Sequence, residues 1–323
     1  MLVSVIVPVF NTHLQYLKPC LDSIAAQTVP CEVILVNDKS FFPETNEALS
    51  YYAEKYGWTL VQHWRNRGVA AARNTGLKRV KTPYTAICDS DDIWAPDKLE
   101  KQLAAIGEKG VCLCGTTIDY RNQTGYPLAL KPPFMDGLKT LDTPQDIGVV
   151  MDGPNRYHVI GEAKNCEQRV VPKHLFTLLG ADAVDGFDEQ PLRTAYARLI
   201  RFNASLCGSN ALFSTRELKR EGFDPKLTGA DEWDALLNIA RDYEVQIAPY
   251  SLCTYLRHSG SYSVTQLKNL RAVCEAIIYK HRLQLTDEER VILQSVETTE
   301  WATEFERATF HKNTPYKIIQ YSG

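Results

Sequence analysis

The chain has 323 residues, a net charge of −3 and 44% apolar residues, an ordinary globular composition that suffices for one large domain or a domain with appendages. That charge leaves no global basic footprint for nucleic acid, and no apolar run reaches the length of a membrane span. Nine cysteines without a Cys-x-x-Cys pair, no partner pair beside Cys112 and Cys114, and no basic leader point to free thiols in a reducing cytoplasm rather than to zinc or a disulfide framework.

Leu2 to Phe10 is almost continuously apolar, as a strand buried on both faces of a parallel sheet should be. Asn11-Thr12 can cap a helix in which Leu14, Leu17, Leu21 and Ile24 recur at helical spacing. Glu32 to Val36 is a second buried strand, ending in the polar loop Asn37-Asp38-Lys39-Ser40. A helix from about 44 to 56 puts Leu49, Tyr52, Ala53 and Tyr56 on one side, and a third strand runs from Trp58 to Trp64. Gly68 to Leu77 opens a short helix before the apolar run Tyr84 to Cys88. Strands alternating with helices predict an α/β fold with a largely parallel sheet, in which ligands bind beyond the carboxyl ends of the strands.

The run Tyr84 to Cys88 stops abruptly at Asp89-Ser90-Asp91-Asp92. Asp89 and Asp91 lie two apart, so a curved backbone turns both toward one point. Carboxylates so close repel unless a cation sits among them, and hard oxygen ligands at a strand end suit Mg²⁺ or Mn²⁺ carrying a phosphate substrate. The plainer reading is an acidic turn capping the helix that Ala95-Pro96-Asp97 begins. Phe10-Asn11, Asn37-Asp38 and Asp89 to Asp91 all fall at strand ends, and three polar ends converging on one crevice are hard to explain as packing.

Further on, Val111 to Tyr120 reads as another strand, followed by a stretch rich in proline, glycine and aspartate. The segment from about 120 to 202 is too long for a plain connection: it forms either a small subdomain or, the favoured reading, an acceptor-side insertion. Cys207 to Phe213 is a strand led by small residues, and Arg216 to Glu221 is a helix ended by Gly222. Asp231-Glu232-Trp233-Asp234 opens another helix, where its acids favour the positive end of the helix dipole. Tyr255 to Ser263 is a loop bearing His258. Leu267, Leu270, Cys274, Ile277 and Ile278 mark one helix of the tail, and Thr286-Asp287-Glu288-Glu289 is a capping box for the next, which Val291, Val296, Trp301 and Phe305 extend.

Pro8-Val9-Phe10-Asn11, Asn37 to Ser40, Gly68 to Gly76 and Asp89 to Asp92 occur in an order and spacing that resemble the family 2 glycosyltransferases, inverting enzymes of GT-A fold. The resemblance covers residues 1–107 and resumes at about 203. It implies a Rossmann-like, mostly parallel sheet flanked by helices over residues 1–264, with the insertion and a helical C-terminal region at 265–323. It also implies transfer of a sugar from a nucleotide-diphosphate donor, a UDP-sugar, to the hydroxyl of a glycan or another acceptor. By that resemblance the donor is held by Pro8, Val9, Phe10, Asn11, Asp38, Arg73, Asn74, Asp89 and Ser90. Asp89, Asp91 and His258 serve Mn²⁺ or Mg²⁺, and Glu232 or Asp231 is the general base, with Glu232 the aligned position.

Two departures stand out. Asn37-Asp38-Lys39-Ser40 replaces the usual pair of acids before Gly-Ser, and Asp231-Glu232 reverses the usual Glu-Asp order. A sugar-1-phosphate nucleotidyltransferase would carry a glycine-rich loop after the first strand, which Pro8 to Asn11 is not. A non-catalytic binding module of the same fold would be expected to have lost the acids. A modified DNA base as acceptor fits poorly with the charge, and a processive synthase with the lack of membrane helices.

Overall fold

A computed structural model describes residues 1–106, 111–114, 119–122, 139–140, 147–151, 157–161, 169–170, 196, 200, 208–243, 245–248, 252–258, 260–287, 289–290 and 319–320. The strands in chain order are β1 (Val3–Val9), β2 (Cys31–Asn37), β3 (Thr59–Gln62), β4 (Tyr84–Ile87), β5 (Ile93–Trp94), β6 (Val111–Cys114), β7 (Asp119–Asn122), β8 (Lys139–Thr140), β9 (Ile147–Met151), β10 (Tyr157–Gly161), β11 (Arg169–Val170), β12 (Ala211–Ser214), β13 (Val245–Ala248), β14 (Cys253–Arg257) and β15 (Ile319–Gln320). The helices are α1 (Leu14–Ala25), α2 (Pro43–Tyr56), α3 (Val69–Leu77), α4 (Lys98–Ala105), α5 (Thr215–Glu221), α6 (Asp231–Ala240), α7 (Tyr262–Thr265) and α8 (Leu267–Arg282).

The main sheet runs β13-β6-β12-β4-β1-β2-β3. β1 pairs in parallel with β2 and β4, and β2 in parallel with β3. β12 alone is reversed, antiparallel to both β4 and β6, while β13 follows β6 in parallel. All seven residues of β1 are buried, which is why that stretch reads as unbroken apolar sequence. Pro8 is tolerated in this central strand because β4 leaves the ladder at Ile87, opposite Ile6, so one flank of β1 is open where Pro8 lies.

The reversal of β12 matters for the site. Its beginning lies beside the end of β4, so the turn Gly208–Asn210 meets Asp89, whose N–H donates to Ser209 Oγ at 2.8 Å. Helix α3 lies close on β1 through Gly76, where a Cβ would stand 2.5 Å from Ile6 Cγ2. No larger residue permits that approach, so this glycine sets the depth at which Arg73 and Asn74 sit.

Most predicted elements are present, with shifted ends. Pro96 precedes the next helix by two residues, because α4 begins only at Lys98. Leu14 opens α1 at the rim and remains exposed, while Leu17, Leu21 and Ile24 are buried. The strand expected from Cys207 begins at Ala211, since Gly208, Ser209 and Asn210 form a 3₁₀ turn first. The strand expected to reach Tyr120 ends at Cys114, and residues 115–118 lie outside the described residues. The expected capping box is present: Thr286 N–H donates to Glu289 Oε2 at 2.8 Å and Glu289 N–H to Thr286 Oγ1 at 3.2 Å.

The chain divides into two compact units, Met1–Cys114 with Cys207–Ala248 and Leu252–Leu256, and Gly115–Leu206 with Pro249–Ser251 and Arg257–Gly323. Within the second unit, β10 pairs antiparallel with β9 and β11, and β15 with β8. Most of the expected insertion, and the helix expected beyond 290, lie outside the described residues. Among the described residues no helix is long and apolar enough to cross a membrane.

Candidate active site

Two loops close the ends of β1 and β2. Asn11 sits at φ 51° and Lys39 at φ 66°, left-handed conformations that asparagine tolerates and lysine rarely adopts. Asn11 N–H donates to Ser40 Oγ at 2.9 Å, and Asn11 Oδ1 accepts Phe41 N–H at 2.8 Å, so the two strand ends are tied. Phe10 and Phe41 stand exposed beside them with ring centroids 6.3 Å apart. Pro8 and Val9 are buried in the sheet, so they shape the crevice through the backbone of β1.

Asp38, expected to accept a nucleobase N–H, is engaged within the protein. Its carboxylate is buried and already accepts from His63 Nδ1 at 2.6 Å, from Arg67 N–H at 2.9 and 3.0 Å, and from Gly68 N–H at 2.8 Å. Three N–H donors, one of them shared, thus engage both of its oxygens. Asp38 therefore organises the loop that enters α3. His63 continues the chain through Nε2 to Thr75 Oγ1 at 2.9 Å. Asp38, His63 and Thr75 thus lace β2, the segment after β3, and α3 together, and His63 carried no local signal in the sequence.

β4 ends at Ile87 and the backbone turns tightly, with Asp92 N–H bonded to Asp89 O at 3.0 Å. Asp89 keeps 27% of its side chain exposed, and Asp91 is half-buried. Ser90 is buried and shares a 2.6 Å hydrogen bond with Thr12 Oγ1, so it braces the turn against the segment after β1. Asp92 is fully buried. Burial, aided by Cys253, Asp91 and Asp89, pushes its carboxyl above the usual carboxylate range.

Arg73 stands at the centre. Its Nη2 donates to Asp89 Oδ1 at 2.7 Å, and its Nη1 donates to Asp231 Oδ1 at 2.7 Å and to Glu232 Oε2 at 3.0 Å. The neighbouring Asn74 clasps the backbone of Phe223, giving Nδ2–H to its carbonyl at 2.6 Å and accepting its N–H at 3.0 Å. The Arg-Asn pair of α3 therefore fastens the segment leading to α6. Ala230 precedes α6 at φ 53°, a strained conformation for alanine that fixes how Asp231 and Glu232 enter the helix.

One buried guanidinium serves three carboxylates. Burial alone would lower the Arg73 pKa, but Asp231, Asp89 and Glu232 more than offset it and hold the guanidinium charged. Burial raises Asp231 above the usual carboxylate range against the pull of Arg73. It pushes Glu232 up to about 7; Arg73 opposes the rise, and Asp231 and Asp89 add to it. Asp231 has no exposed side-chain surface and its Oδ2 lacks a hydrogen-bond partner, whereas Glu232 keeps 9% of its side chain exposed.

The described residues contain no group of three or more His, Cys, Asp or Glu side chains placed to cage a metal ion. Mg²⁺ and Mn²⁺ sites that act on phosphates commonly use one or two carboxylates and take the rest of their shell from substrate and water. Asp91 and the Asp89 oxygen that Arg73 does not take fit that donor set. His258 belongs to the other unit, where its N–H donates to Ser261 Oγ at 3.0 Å and its Nδ1 accepts Gly260 N–H at 3.2 Å.

A mostly parallel sheet with an acidic turn at one central strand end and a buried acid pair facing it is a GT-A fold. The chain belongs to the glycosyl transferase family 2, whose model matches residues 4–163. TuaG of Bacillus subtilis, a provisionally assigned teichuronic acid biosynthesis glycosyltransferase, is 38% identical over 130 residues, 39% of this chain and 50% of its own. The uncharacterized glycosyltransferase EpsJ of Bacillus subtilis is 30% identical over 148 residues, 45% of this chain and 41% of its own. The chain thus spans half or less of the length of these relatives. Among solved structures, S. aureus TarS 1–349 in complex with UDP is similar with a TM-score of 0.56 at 18% identity, over 95% of this chain and 75% of that one. The mannosyltransferase PcManGT of Pyrobaculum calidifontis with GDP-Man and Mn²⁺ gives 0.57 at 19%, over 95% and 73%.

Proposed function

We propose that the protein transfers a glycosyl group from a nucleotide-diphosphate sugar to an acceptor hydroxyl, inverting the anomeric centre in one displacement. The observation that carries this reading is the convergence of Asp89 with Asp231 and Glu232 on a single buried arginine, which sets a cation-side acid opposite an acid pair. Likeness to TarS structures bearing UDP and UDP-GlcNAc favours uridine as the nucleotide, with the guanosine donor of PcManGT as the competitor.

Mn²⁺ or Mg²⁺ on Asp91 and Asp89 would neutralise the charge of the departing diphosphate. Glu232 accepts the proton of the acceptor hydroxyl, because it keeps surface that a substrate can reach while Asp231 keeps none. Asp231 shares Arg73 and supports the pair from behind. Asp38 contributes by shaping the loop at 63–68, and the crevice beside it is where the nucleotide is placed. The acceptor is a glycan or another hydroxyl compound. Donor hydrolysis measured across UDP-, GDP- and dTDP-sugars, with and without Mn²⁺, tests the reading. Cation-stimulated release of UDP is expected, preference for a GDP-sugar would overturn the uridine assignment, and no release from any donor would overturn the function.

A further inference from the structure

We propose that Arg73 is a positioning residue for the transfer reaction, one that holds the base Glu232 and the cation-side Asp89 at a fixed separation through a single buried guanidinium. The proposal rests on the glycosyltransferase reading above. Resemblance alone put Arg73 among the donor contacts, but it is 3% exposed and its two Nη atoms are committed to carboxylates. Asp231 lies 158 residues away in sequence, so this one side chain joins two distant parts of the site. The guanidinium fork is planar and rigid, so fixing one end fixes the direction of the other, which a flexible ammonium would not do.

The surroundings are built to hold that fork. Gly208 leaves the space it occupies: a Cβ there would stand 2.6 Å from Arg73 Nη2 and 3.2 Å from Asp89 Oδ2. On another side the Phe223 ring lies 5.9 Å from Cζ, and Asn74 fixes Phe223 by its backbone. Stability alone would not select three carboxylates on one buried cation, because the excess negative charge is costly away from water. The arrangement becomes intelligible when Asp89 and Glu232 each have work on opposite sides of the reacting bond.

The test uses the full chain with Mn²⁺ and whichever of UDP-glucose, UDP-N-acetylglucosamine and GDP-mannose the wild type turns over. Arg73→Met should lower kcat on the order of a hundredfold, the usual penalty of a small misplacement, with donor KM changed no more than about threefold. Combined with Glu232→Gln it should cost almost nothing further, since both changes disable the same step. Additive losses, a raised KM with intact kcat, or an unchanged kcat would each overturn the proposal. Should circular dichroism show that Arg73→Met does not fold, Gly208→Ala replaces it. Its methyl pushes Nη2 from Asp89, so kcat should again fall without a matching rise in KM, and wild-type kcat would overturn the idea. A wild type inactive on all three donors overturns the functional reading and this proposal with it, whereas an active wild type with unaffected variants overturns this proposal alone.

Discussion

Asp231 and Glu232 are adjacent in sequence, yet their surroundings separate them. Successive helical residues point about 100° apart, and here that turn leaves Asp231 sealed and Glu232 at the edge of the crevice. Glu232→Gln should therefore lose transfer on the order of a hundredfold or more, and Asp231→Asn less. Steady-state rates on the two variants check the assignment, and the opposite order would make Asp231 the base. The raised pKa of Glu232 also fixes a sign. A general base works as the anion, so with Glu232 in the proposed role the rate should climb with pH through about 7 and level off above it. Stability moves the other way, because a carboxyl with a raised folded pKa contributes stability below its unfolded value and loses it as pH rises through about 7. Glu232→Gln should thus gain in melting temperature relative to wild type between pH 5 and pH 8, and a constant difference would contradict that.

At the scale of elements, the site depends on how closely α3 meets β1 and how α6 begins. Gly76→Ala forces a methyl onto Ile6, which is fully buried and has little room to yield. Denaturant unfolding should show a loss of about 1–3 kcal/mol, typical of overpacking. Activity should fall too, since α3 carries Arg73. Ala230 presents the opposite case. Its left-handed backbone costs roughly 1–2 kcal/mol for an L-residue and nothing comparable for glycine. Ala230→Gly should therefore be neutral or mildly stabilising in the same measurement, with activity reduced if the strain helps fix the entry of Asp231 and Glu232 into α6.

For the whole molecule, the first unit assembles the entire cluster from segments as far apart as Asp38 and Glu232. Under the proposed function, Asp89 and Asp91 at the turn after β4 would hold a cation, with Arg73 paired to Asp89 Oδ1. Excess EDTA should abolish transfer, and Mn²⁺ or Mg²⁺ should restore it. Asp91→Ala should be inactive yet fold normally by circular dichroism, because its side chain is only half-buried at a turn. Undiminished transfer in EDTA would remove the cation from the reading.

The alternation of apolar runs with helical periodicity determined the α/β class, and β1, β2, α3 and β4 were legible because their burial leaves a local imprint on sequence. The Asp-x-Asp turn was legible for the same reason, since it interrupts an apolar strand. The acid pair could be found only through its resemblance to a family pattern. No local signal gave the reversal of β12, the strain at Ala230, or the need for Gly208 to be bare, because each arises from contact between distant segments. Asp38, Asn74 and Arg73 show the difference most clearly. Their residue types suit a ligand, and the sequence placed them at one. Which protein groups engage them depends on what folding brings within 3 Å, and that is decided only once Arg67, Phe223 and Asp231 have arrived beside them.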